Sequence, residues 1–127
     1  MMRQKCKVFE LPIFESFIVM IYYKDYKYVN KILKRENFTY TIDAKDCGMV
    51  CSEEIFKKDK SSYVKYLIVI KADNDLNSLK NTIVHETLHL SQEILENKGI
   101  HFRKGGHNEP YTYLNSYLQG VIEDFIS

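Results

Sequence analysis

The hydrophobic pattern divides the chain into strand-like runs and helical spacings. Ser16 to Tyr23 is apolar at nearly every position, and Tyr63 to Ile70 repeats that pattern with one lysine. Continuous apolar runs of this length read as strands covered on both faces, so both are expected in the centre of a sheet. Lys7 to Leu11, set off by Pro12, predicts a strand before them. Phe38 to Ile42 is aromatic and β-branched and predicts another, followed by turn chemistry from Asp43 to Gly48. Met49 to Phe56 mixes apolar with charged residues, which suits an edge strand. Asp25 to Glu36 carries Tyr28 or Val29, Ile32 and Leu33 at helical spacing, with an acidic start and a Lys34-Arg35 finish that suit the helix dipole. It predicts a crossover helix.

The most informative helical stretch is Asn81 to Asn97, introduced by Asp73-Asn74-Asp75 as cap and closed by Asn97-Lys98-Gly99. Winding it at about 100° per residue with His85 at zero puts His89 at about 40° and Glu86 at about 100°. Ser78, Thr82, Glu93 and Glu96 share that polar sector. Leu76, Leu79, Ile83, Leu90 and Ile94 fall at roughly 120–180°, and Val84, Leu88 and Leu95 at roughly 260–300°. The expectation is a helix covered on both flanks with one wet stripe. A last helix opens at Asn108-Glu109-Pro110, with Tyr111, Leu114, Leu118, Val121, Ile122 and Phe125 as its apolar face. The predicted order is β, β, α, β, β, β, α, α: an α+β fold with a mixed sheet packed by helices. It fits a single domain over 1–127, sheet-rich over 1–72, with the later helices over 75–127.

Composition narrows the classes. With 45% hydrophobic and 28% charged residues the chain reads as globular, and its formal net charge of +1 gives no reason to invoke nucleic acid or a membrane surface. No apolar run is long enough to span a bilayer, and the first fifteen residues interleave charges with apolar residues, so the expected setting is soluble and cytoplasmic. Three cysteines, Cys6, Cys47 and Cys51, cannot all pair within one chain, which favours a reducing compartment. They read as small hydrophobes. Oligomeric state is not readable from the sequence.

His85-Glu86-Thr87-Leu88-His89 carries the candidate chemistry. Histidines four apart on a helix lie one turn apart on one face, where two imidazoles can share one metal ion, and the glutamate between them points into the same sector. Zn2+ is the expected cofactor. Catalytic zinc normally takes three protein ligands and a water, so a further ligand must come from elsewhere. Glu109 is the best candidate, twenty residues after His89 at the start of the last helix, beyond a glycine-containing loop. His101 and His107 in that loop compete for the role, and Glu93, one turn beyond His89, suits the site's edge. The expected reaction is peptide hydrolysis, with zinc acidifying a water and Glu86 as general base. An oxyanion donor is expected among His107, Tyr111, Tyr113 and Tyr117.

This pattern resembles the gluzincins, zinc metallopeptidases of the thermolysin type that pair H-E-x-x-H on one helix with a glutamate on a following helix. The matching residues are His85, Glu86, His89 and Asn108-Glu109, and the resemblance covers roughly Tyr63 to Ser127. It implies a small zincin-like fold, a zinc site of His85, His89 and Glu109, and a peptide or protein substrate, with the edge strand able to pair with an extended peptide. The family's aspartate four residues after the glutamate is Tyr113 here. A metzincin match is excluded, because Gln92 and Leu95 stand where its glycine and third histidine belong. The rival reading is a zincin-fold zinc-binding module without protease activity, of a partner-binding or phage-type accessory kind. A metal-free domain with a solvated polar stripe is a further alternative.

Overall fold

The computed structural model describes residues 4–11, 16–100 and 108–127. Strands β1 (Lys5–Leu11), β2 (Ser16–Tyr23), β3 (Gly48–Phe56) and β4 (Ser62–Lys71) form one sheet in the order β1-β2-β4-β3. β2 and β4 run parallel, with Val19 opposite Leu67 and Ile21 opposite Val69, while β1 and β3 flank them antiparallel. The two apolar runs therefore take the centre of a mixed sheet, and β3 is an edge, as the sequence predicts. Helices α1 (Tyr26–Arg35), α2 (Leu76–Asn97) and α3 (Glu109–Ile126) complete the α+β architecture.

Strand alternation explains why the central runs are apolar throughout. Ile18, Met20 and Tyr22 of β2 and Tyr66, Ile68 and Ile70 of β4 join Leu90, Ile94, Leu118 and Ile122 of α2 and α3 in one cluster. Their sequence neighbours Val19, Ile21, Tyr23, Leu67 and Val69 join Val29, Ile32 and Leu33 of α1 in a second. Each buried aliphatic side chain contributes roughly 1.5–3 kcal/mol, so both faces of the sheet are strongly held. Among the described residues no helix is long and apolar enough to cross a membrane.

Two expectations are corrected. The segment Phe38 to Ile42 is not a strand. Its backbone finds a partner in a side chain: the Asn30 amide of α1 donates to the Ile42 carbonyl at 3.0 Å and accepts from the Ile42 N–H at 2.9 Å. Phe38 and Ile42 are buried against the α1 face of the sheet, so the residues that suggested a strand serve as plugs. The second correction concerns α2, whose flanks are not both covered. Ile83, Leu90, Ile94 and Leu95 are buried, but Val84 and Leu88 stay 47% and 44% exposed. On that second flank coverage begins only toward the C-terminal end, at Leu95.

Candidate metal centre

α2 begins where Asp75, in extended backbone, accepts the Asn77 N–H on its side chain at 3.0 Å, and ends where Gly99 adopts a φ of 78°. There the Gly99 N–H donates to Glu96 O and the Ile100 N–H to Leu95 O, both at 2.9 Å. These caps satisfy helix ends that would otherwise be left open, and no glycine or proline interrupts the 22 residues between them.

His85 and His89 lie on the open side of this helix. Their Nε2 atoms are 3.1 Å apart, with ring centroids at 4.5 Å and planes at 81°. Two nitrogens each about 2.0–2.1 Å from a tetrahedral zinc would be about 3.3 Å apart, so the pair fits a shared ion. Glu86 behaves differently from the wet residue its sector suggested. It is only 6% exposed, because at about 100° from His85 it borders the apolar arc and passes beneath the sheet edge. Its Oε1 lies 3.8 Å from His85 Nε2, and its Oε2 is buried without a hydrogen-bond partner among the described residues. Burial pushes the Glu86 carboxyl above its ordinary range, against a smaller opposing pull from His85 and His89.

The sheet edge forms the facing wall. A Cβ placed on Gly48 of β3 would come within 2.9 Å of Glu86 Cγ. Further along, Ser52 Oγ donates to Glu93 Oε1 at 2.7 Å, so β3 follows α2 over two helical turns. Between strand and helix lies a cavity of about 420 Å³ lined by Cys47, Gly48, Asn81, Thr82, His85 and Glu86. A second cavity of about 550 Å³ shares Cys47, Asn81 and Thr82 and reaches Lys71, Asp73 and Ser78. Together they make one groove leading from His85 toward the start of α2.

Among the described residues, the group able to hold a metal ion is His85, Glu86 and His89, with candidate ligand atoms all within 4.8 Å of one another. Glu109 is not brought into that group. It is exposed in the first turn of α3, next to Asn108, which shares a recess of about 200 Å³ with Leu88 of α2. His101 and His107 lie outside the described residues. Tyr113 is 72% exposed on α3, Tyr117 is also exposed, and the Tyr111 hydroxyl donates to the Ile100 carbonyl at 2.8 Å. Sequence reasoning missed Gly48, Cys47 and Asn81 as groove residues. A glycine at the mouth of a predicted strand was the available signal for the first, since it often marks close backbone approach.

Searches against protein-family models, curated proteins and solved structures return no match for this chain.

Proposed function

We propose that this chain is a zinc-dependent metallopeptidase of gluzincin-like organisation, with Zn2+ held by His85, His89 and Glu109 and Glu86 as general base. One observation carries the reading: a buried glutamate, one carboxylate oxygen of which has no partner among the described residues, lines the same cavity as His85 and lies 3.8 Å from its Nε2, beside two imidazole nitrogens 3.1 Å apart. A structural metal site has no use for such a carboxylate. Bound zinc supplies a water whose pKa is lowered to about 7 and polarises the scissile carbonyl. Glu86 takes the proton from the attacking water and returns it to the leaving amine. β3, an edge strand among the described residues and beside the groove, suits an extended peptide added as a further strand. Glu109 stands outside the histidine group at the start of α3, so completing the ligand set requires its carboxylate to swing over to the histidines.

The rival reading, a zinc-binding module without hydrolysis, draws support from the exposed position of Glu109 and from the 69% exposure of the His85 side chain. One experiment separates the two. Zinc-loaded protein is expected to cleave a peptide library, and Glu86→Gln to keep stoichiometric zinc while losing hydrolysis. Stoichiometric zinc with no cleavage in the unsubstituted protein selects the module, and absence of zinc refutes both.

A further inference from the structure

Gly48 is the point where the sheet edge meets α2 with no side chain between them. A Cβ there would lie 2.9 Å from Glu86 Cγ and 3.1 Å from both Glu86 Cδ and Oε2, closer than unshifted atoms tolerate. Gly48 is not among the residues of positive φ, so backbone conformation does not demand glycine here, and space does. The strand cannot retreat. Gly48 is paired opposite Ile70 in the ladder, and the preceding Cys47 carbonyl accepts the Lys71 N–H at 3.0 Å. The helix cannot roll away either, because Thr87, Leu90 and Ser91 of the same helix are fully buried and the Ser52–Glu93 bond ties strand to helix two turns on. With both backbones fixed, the part able to yield to a new methyl group is the Glu86 side chain.

We propose that Gly48 is a positioning residue for Glu86: its lack of a side chain leaves the slot in which the carboxylate lies against β3, facing the cavity shared with His85. The inference deepens the peptidase reading and rests on it for its catalytic consequence. A methyl at position 48 meets Glu86 atoms first, so it displaces the base while leaving both histidines in place. A misplacement of about 1 Å at a reacting group costs on the order of a hundredfold in rate.

The test is Gly48→Ala, compared with the unsubstituted protein as zinc-loaded full chains. Zinc stoichiometry is expected to be unchanged and KM to stay within about twofold, while kcat falls by about tenfold or more, the signature of a group needed in the transition state. A crystal structure of the variant, the readout that does not depend on activity, is expected to show the Glu86 carboxylate moved out of the cavity. Any loss of Tm in Gly48→Ala is expected to disappear when Glu86→Ala is added, because that change removes the contacted atoms. An unmoved Glu86, an unchanged kcat, or a Tm loss that persists in the double variant overturns the inference. If the unsubstituted protein binds zinc but cleaves nothing, the peptidase reading fails, and a displaced Glu86 in the variant still establishes that Gly48 positions it.

Discussion

Ser52 of β3 and Glu93 of α2, 41 residues apart in sequence, are joined by a 2.7 Å hydrogen bond from hydroxyl to carboxylate. The bond fixes the spacing of β3 and α2 one helical turn beyond His89. A hydrogen bond to a charged group contributes about 1.5–3 kcal/mol, and this one, half-buried, belongs at the lower end. Ser52→Ala is expected to lower unfolding free energy by about 1–2 kcal/mol in chemical denaturation. Amide exchange in β3 should quicken more than in β2. Equal protection of β3 in the two proteins would show that the bond does not hold the edge.

The proposed zinc ligation makes separable demands on three residues. Removing either imidazole, by His85→Ala or His89→Ala, is expected to abolish stoichiometric zinc in elemental analysis. Glu109→Gln should weaken zinc by more than the ~10–100-fold typical of an outer-shell partner. If His107→Ala has that effect and Glu109→Gln does not, the third ligand is His107.

The three thiols are expected to differ sharply in reactivity. Cys47 is exposed at the groove, whereas burial, with smaller contributions from Glu53 and Glu93, pushes the Cys51 thiol up to about 12. Cys6 is also raised, chiefly by burial. Since the thiolate is the reactive form, iodoacetamide at mildly alkaline pH should modify Cys47 at least about tenfold faster than the other two. Peptide mapping by mass spectrometry checks the order, and native labelling of Cys51 at the Cys47 rate would contradict it.

Tyr23 predicts an alkaline limit. Its hydroxyl donates to the Asp46 carbonyl at 2.7 Å, and burial foremost, then the charge of Asp46, raises it from 10.0 to about 12. The folded protein therefore keeps this proton where the unfolded chain has lost it. The associated stability is complete below pH 10 and disappears as pH rises through about 12. Tyr23→Phe should flatten that part of the stability curve while costing about 1 kcal/mol at neutral pH for the lost bond. Denaturation midpoints measured from pH 8 upward provide the check.

Legibility from sequence followed the range of the interactions involved. α1 was readable because its signals are local: Asp25 caps it by accepting the Lys27 N–H at 3.0 Å, and Lys34 and Arg35 occupy its last turn. The central strands were readable because burial on both faces leaves an unbroken apolar run. Phe38 to Ile42 was misread because Asn30, twelve residues upstream of Ile42, takes the hydrogen bonds a neighbouring strand would have made. The histidine pair followed from four-residue spacing alone. The burial of Glu86 did not, because it depends on β3, whose nearest contact lies 38 positions earlier at Gly48.

The sheet divides the apolar interior in two, and α1 packs on the side away from the histidines. Val29, Ile32, Leu33 and the plugs Phe38 and Ile42 therefore act as ballast, adding stability without a side chain in the groove. Changes there can raise or lower the melting point while the chemistry keeps its geometry. Such a layout lets stability drift under mutation independently of whatever the groove binds.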